Sequence, residues 1–353
     1  MKYYFYGKGE TWIESSIIVI GFLRKNYSLV QIGSYWGDTP ALEIKKYKNI
    51  AIYRSIGGSF YSRSINRLGI VPYRSYSQLS INSKLHPWFV SGFTDAEGCF
   101  KVSITRDTRN RSGFNVQAFF QIILHRRDIE LLRRFQIFFG GIGTVSVRGD
   151  KSTYMVSSLK FLLKVIIPHL DSYPLITNKL KDYLTWKAIV EIMEIKGHLT
   201  DKGLNEVVGL KASLNRGLPE ELKTSFAHVT PIIPYAVQAL TRDVARAIPH
   251  KMWMAGFVAG EGSFFVNIFK SSHHKVGYQV RLEIEIVQHM RDELLIKSFI
   301  SFFDCGIVSN YSKGMFKFKC EKFSDIQSKI IPFFKEYSSP SHGGAVQHVP
   351  VRR

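Results

Sequence analysis

Hydrophobic positions along the chain change period in an order that occurs twice. Pro87 suits a first helical turn and apolar residues follow it up to Glu97, so a helix is predicted there, closed by Gly98 as a left-handed cap. Phe100, Val102 and Ile104 then alternate with Lys101, Ser103 and Thr105, the period of a strand with one apolar and one polar face. Val280, Leu282, Ile284 and Ile286 alternate with Gln279, Arg281, Glu283 and Glu285. Phe316 and Phe318 do so with Lys317 and Lys319. Asp128 to Phe139 and Asp292 to Phe303 return to helical spacing, each with an acidic residue near its start. Each half thus reads as helix, two strands, helix, two strands, helix, an αββαββα unit of the α+β class.

The two halves are copies. Gly92, Phe93, Glu97, Gly98, Phe100, Val102 and Ile104 recur, 164 residues on, as Gly256, Phe257, Glu261, Gly262, Phe264, Val266 and Ile268. The same offset relates His125 to His289, Asp128 to Asp292, Phe135 to Phe299 and Pro168 to Pro332. A period this long means a duplicated domain with a pseudo-two-fold axis. Gly92 and Ala96, and again Gly256 and Gly260, stand four apart on one helix face. Small residues at that spacing let two backbones approach closely. The chain therefore divides into a first domain, residues 85–216, and a second, residues 250–337. A Pro-containing connection of residues 217–249 joins them, and an irregular Gly, Pro and Ser-rich tail fills residues 338–353. Residues 1–84 have no counterpart in the repeat. Within them residues 42–56 alternate weakly as a strand, and Tyr53 to Lys84 reads as a flexible basic linker.

Charge narrows the partners. Forty-eight Lys and Arg against 28 Asp and Glu give a net charge of +20, and every section of the chain contributes to it. Such a field favours a polyanion, nucleic acid before membrane. The early apolar run Ile17 to Leu23 is far too short to span a bilayer, and no membrane partner is expected. Cys99, Cys305 and Cys320 form no CxxC pair, which argues against a disulfide framework or zinc site.

Glu97 and Glu261 stand at the C-terminal ends of the two predicted close-packed helices, facing the negative end of each dipole. Two carboxylates brought together there repel, and a divalent cation that prefers oxygen ligands would remove the conflict. The stretches Val90-Ser91-Gly92-Phe93-Thr94-Asp95-Ala96-Glu97-Gly98 and Met254-Ala255-Gly256-Phe257-Val258-Ala259-Gly260-Glu261-Gly262 resemble two copies of the LAGLIDADG motif. The chain resembles the single-chain, two-motif homing endonucleases of fungal mitochondrial introns, from about His86 to Tyr337.

That resemblance implies motif helices at the interface between the halves and antiparallel sheets forming a saddle on a long double-stranded DNA target. It implies Glu97 and Glu261 as metal ligands, with the carbonyls of Ala96 and Gly260, holding Mg²⁺ or another divalent cation such as Mn²⁺. Gln121 and Lys179 match family positions that line the catalytic site. The polar strand faces would read DNA through Lys101, Ser103, Thr105, Gln117, Asn267, Gln279, Arg281, Lys317 and Lys319. The implied activity is site-specific phosphodiester hydrolysis that promotes intron homing by a monomer encoded in, and acting in, the mitochondrion. No further cofactor is implied.

The chain also departs from the family. Glu285 takes the place of Gln121 in the second half. The segment Leu175 to Leu214, with Lys179, has no counterpart after Tyr337, so the second domain is expected to lack its terminal helices. Lost packing there would expose second-half core. His125 and His289 read as helix caps rather than catalytic groups. Two alternatives stay open: an RNA maturase that binds its host intron RNA, and a decayed, inactive nuclease.

Overall fold

The computed structural model describes residues 84–238, 247–275 and 277–337, together with the backbone of 17–22, 27–32, 52–56 and 59–63. The chain divides into two units, Met1–Ile81 and Asn82–Arg353. In the first unit β1 (Ile17–Phe22) pairs antiparallel with β2 (Tyr27–Ile32), and β3 (Ile52–Ile56) with β4 (Ser59–Arg63). The second hairpin falls at the start of the stretch read as a flexible basic linker from Tyr53, and residues 64–83 of that stretch lie outside the described residues. Gly57-Gly58 separates two runs that pair Ile56 with Ser59 and Ile52 with Arg63. A two-glycine separation is a hairpin signal because both residues accept positive φ without a side-chain clash.

The second unit holds the duplication. Its first half runs α1 (Pro87–Glu97), β5 (Gly98–Arg106), β6 (Phe114–His125), α2 (Ile129–Phe138), β7 (Thr144–Arg148) and β8 (Lys151–Val156). A bent helix follows as α3 (Leu159–Phe161), a π turn over Leu162–Ile166 and α4 (Ile167–Ser172). Then come α5 (Lys179–Glu194) and α6 (Asp201–Ser213). The connection carries two short helices, α7 (Glu220–Ser225) and α8 (Tyr235–Gln238). The second half repeats the order as α9 (Lys251–Glu261), β9 (Gly262–Lys270), β10 (Tyr278–His289), α10 (Glu293–Phe303), β11 (Ile307–Ser312) and β12 (Met315–Cys320). It ends with α11 (Phe323–Asp325), a π turn over Ile326–Ile330 and α12 (Ile331–Tyr337). Both π turns precede a proline, Pro168 or Pro332, whose missing N–H cannot complete the α ladder to the residue four before it.

Each half forms an antiparallel sheet of four strands, in the order β5-β6-β8-β7 and its copy β9-β10-β12-β11. The longest strands pair in register from Gly98↔Ile122 to Arg106↔Phe114, and from Gly262↔Ile286 to Lys270↔Tyr278. This is the α+β, two-half architecture expected from the alternation. In the first half Phe100, Val102, Ile104, Val116 and Ala118 are all buried, and Phe100 packs on Tyr183 and Trp186 of α5. The equivalent face of the second sheet has no α5–α6 pair over it among the described residues. Ile268 is 38% and Val280 46% exposed there. Residues 338–353 lie outside the described residues. Among those described, no helix is long and apolar enough to cross a membrane.

The predicted left-handed cap at the motif ends is not what forms. Gly98 has φ −68° and Gly262 φ −79°, both extended, so each leads straight into its strand. What demands glycine at position 98 is room: a Cβ would lie 2.6 Å from the carbonyl oxygen of Thr94. At the other end of each motif helix, His86 and His250 accept from the N–H groups of Trp88 and Met252. Their rings stack 4.7 Å apart. His125 and His289 likewise accept from Arg127 N–H and Arg291 N–H, the capping role the sequence suggested.

Candidate active site at the motif-helix interface

The two motif helices touch through backbone. A Cβ on Gly92 would lie 2.0 Å from the carbonyl oxygen of Trp253, and one on Gly256 2.2 Å from that of Phe89. Further along the same face, a Cβ on Gly260 would fall 2.5 Å from the Ala96 Cβ and 3.7 Å from a Glu97 carboxylate oxygen. The small-residue stripe therefore decides where the acids go: it brings Glu97 beside the second helix at the level of Gly260. Both glutamates occupy equivalent helix ends, between the roots of β5 and β9.

Their surroundings disfavour charge. Burial pushes the Glu97 carboxyl above the usual carboxylate range, and Lys179 pulls it back in part. Glu261 is raised first by burial and then by Glu97, against the pull of Lys179 and a hydrogen bond from Gln288. Lys179 is lowered by burial, with Asp95, Glu261, Glu97 and Cys99 all opposing that shift. Its Nζ donates to Thr94 O at 3.2 Å and to Ala96 O at 2.8 Å. The site thus gathers two partly buried carboxylates, motif-end carbonyls and one ammonium group.

That donor set suits a hard divalent cation. Hard cations take carboxylate and carbonyl oxygens, and positive charge is what two mutually repelling, desolvated carboxylates lack. Glu97, Glu261 and the carbonyls of Ala96 and Gly260 are the groups that could hold it. The Ala96 oxygen already accepts from Lys179, but a carbonyl has two lone pairs.

The segment before Lys179 is tied to both halves. Asp95, buried in α1, accepts from Ile176 N–H at 3.0 Å, Thr177 N–H at 3.2 Å and the Thr177 hydroxyl at 2.6 Å. It also accepts from the indole N–H of Trp253 in α9, at 2.9 Å. Asn178 donates from its backbone to Asp292 and from its side chain to Arg291 O, both at 2.7 Å. Asp95, Trp253, Gln288, Asn178 and Asp292 were not singled out as site residues from the sequence. For Asp95 a signal existed: it stands inside the repeated motif, where the copy carries Ala259.

On the first sheet the polar face is as the alternation implies. Lys101, Thr105 and Gln117 are exposed, Ser103 and Gln121 half-buried, with Ser103 opposite Gln117 and Cys99 opposite Gln121. Lys101 lies over the Phe119 ring at 5.8 Å. The second sheet differs. Asn267 is only 5% exposed and its amide donates to Glu283 at 3.0 Å, which corrects its placement on an open base-reading face. The polar face there carries two carboxylates, Glu283 and Glu285, that pair with its lysines. Lys317 pairs with Glu285 at 2.6 Å, and Lys319 with Glu283 at 3.2 Å and Glu321 at 2.9 Å. Arg281 reaches Glu321 at 3.4 Å and lies over Phe269, while Gln279 is half-buried beside them.

A family model described as LAGLIDADG endonuclease matches residues 90–190 and 254–342. A probable intron-encoded endonuclease 2 of Neurospora crassa is 39% identical over 260 residues, covering 72% of this chain and 56% of that protein. An uncharacterized 50.9 kDa protein in ND4 intron 1 of Podospora anserina is 43% identical over 121 residues, 33% of this chain and 26% of that one. The chain spans about half the length of the first curated relatives it matches. Among solved structures it is similar to the I-SmaMI LAGLIDADG homing endonuclease bound to cleaved DNA, at 41% identity and a TM-score of 0.68. That likeness covers 73% of this chain and 85% of the other. I-SmaMI bound to an uncleaved DNA target in the presence of calcium ions superposes at a TM-score of 0.67, also at 41% identity, over 72% and 85% of the two chains. Both motif copies fall inside the matched stretches, and the chain belongs to the LAGLIDADG endonuclease family.

Proposed function

We propose that the chain is a site-specific double-strand DNA endonuclease that uses a divalent cation and acts in intron homing. The observation that supports it best is the pair Glu97 and Glu261, partly buried at the contact of two motif helices, where each helix runs straight into its sheet. The carboxylates, with Ala96 O and Gly260 O, would hold Mg²⁺ or Mn²⁺. Bound there, the cation would supply Lewis-acid activation of water and charge stabilisation at the scissile phosphate. Lys179 carries positive charge to the same place, where negative charge grows on the phosphate in the transition state. Gln121, two strand positions out on β6 opposite Cys99, would orient the phosphate or its water.

DNA would lie across the polar faces. Lys101, Ser103, Thr105 and Gln117 offer free donors and acceptors on the first sheet, and Gln279, Arg281, Lys317 and Lys319 line the second. Arg suits guanine and Gln suits adenine by their paired groups. One chain supplies both carboxylates and both sheets, which supports a monomer. The relatives' descriptions as intron-encoded, one of them in an ND4 intron, support a mitochondrial setting. They also favour the endonuclease over the RNA maturase.

The test is cleavage of duplex DNA spanning the uninterrupted insertion site, with Mg²⁺ and with EDTA. Wild type is expected to cut only with metal, and Glu97→Gln to bind the duplex within about twofold of wild type while losing cleavage. A fully active Glu97→Gln enzyme would sink the metal-ligand assignment.

A further inference from the structure

We infer that Asp95 is a positioning residue for Lys179, linking the second motif helix to the ammonium group that serves the acidic pair. The inference rests on the endonuclease reading of the site. Its starting point is a buried carboxylate with four donors and, among the described residues, no cation bonded to it. A buried charge of this kind is costly unless it is fully hydrogen-bonded, and each donor it loses leaves another buried group unpaired. Asp95 therefore constrains all four partners tightly.

Three of those donors belong to Ile176 and Thr177, the residues leading into α5, and the fourth is Trp253 of the opposite half. The Thr177 hydroxyl donates to Asp95 and in turn accepts from the backbone N–H of Lys179 at 3.1 Å. The chain of bonds is thus Trp253 to Asp95, Asp95 to Thr177, Thr177 to Lys179. From that anchored start the Lys179 side chain returns to the motif helix, bonding to Thr94 O and Ala96 O on either side of Asp95 itself. A lysine side chain has many rotamers to lose, and fixing both its backbone and its ammonium group removes most of that freedom before substrate arrives. The device belongs to one half only, because Ala259 stands where the copy would need its aspartate.

The experiment is a double-mutant cycle read by single-turnover cleavage and by DNA affinity measured in Ca²⁺. Asp95→Asn puts an amide N–H against donors and is expected to slow cleavage tenfold or more, with the dissociation constant for the duplex within twofold. Lys179→Met is expected to do the same. The double variant should be no slower than Lys179→Met alone, since Asp95 acts only through the lysine. Multiplying effects would overturn the inference. Thr177→Val should reproduce the Asp95→Asn loss and Thr177→Ser should restore the rate, and this pair keeps the test open if Asp95→Asn folds poorly. Independently of cleavage, amide exchange at Ile176 and Thr177 should quicken at least tenfold in Asp95→Asn. Unchanged exchange would overturn the inference even if the wild-type chain cut no duplex, an outcome that by itself would overturn the endonuclease reading instead.

Discussion

Single atoms decide whether the two halves can meet. Gly92 faces the Trp253 carbonyl and Gly256 the Phe89 carbonyl so closely that even one methyl group would occupy space already filled by backbone. Neither neighbour is a flexible side-chain end, so the helices themselves would have to separate. Gly92→Ala is expected to destabilise the protein by about 3 kcal/mol or more, at the upper end of core overpacking, read as a lowered midpoint in thermal unfolding. A full-height melting transition at the wild-type temperature would show that the helices are less tightly docked than their backbones indicate. His169 makes a different demand. It sits against Phe138, Phe139 and Tyr173 and bonds to Ser91 Oγ at 3.3 Å, and burial lowers it from 6.5 to about 4. The unfolded chain therefore binds a proton between those values that the folded one refuses. Stability contributed by the neutral ring is full above pH 6.5 and is lost as pH falls towards 4, by no more than about 3 kcal/mol. Urea unfolding of wild type and His169→Phe across pH 4 to 7 checks this, because the raised carboxyls of Asp95, Glu97 and Glu261 act in the opposite sense and cancel in the difference.

The paired strands show how one repeat yields two unlike faces. Among the described residues Lys101 and Gln117 pair with no carboxylate, whereas β10 carries Glu283 and Glu285 beneath the lysines of β12. An ammonium group already paired with a buried carboxylate releases fewer counterions when a phosphate replaces its partner. Glu285→Gln is accordingly expected to steepen the slope of log binding constant against log salt by about one, measured on duplex DNA between 50 and 200 mM salt. An unchanged slope would place Lys317 out of phosphate reach. Alternation along β9, β10 and β12 told which residues share this face. It could not tell which lysine would lean to which glutamate, since those bonds run diagonally between neighbouring register pairs: Glu285 stands opposite Lys319 yet bonds to Lys317.

Across the whole molecule, the charge of +20, the duplication and the order of helices and strands were all legible without coordinates. They rest on local rules: period two for a pleated face, period 3.6 for a helix, and small residues four apart for close approach. Those rules placed Glu97 and Glu261 at equivalent helix ends, and the sheets then follow from pairing neighbours in the chain. An error arose where an extended and a left-handed glycine look alike in sequence, at Gly98. The sequence by itself determined which groups exist and on which element each rides, because periodicity is a property of neighbouring residues. Only the tertiary structure decided which groups spend their bonds on one another: Asp95 on Ile176, Thr177 and Trp253, Asn267 on Glu283, Lys317 on Glu285. Those partners lie between 16 and 158 residues apart. Contacts at such separations depend on burial and on the exact register of packed elements, which no local pattern encodes.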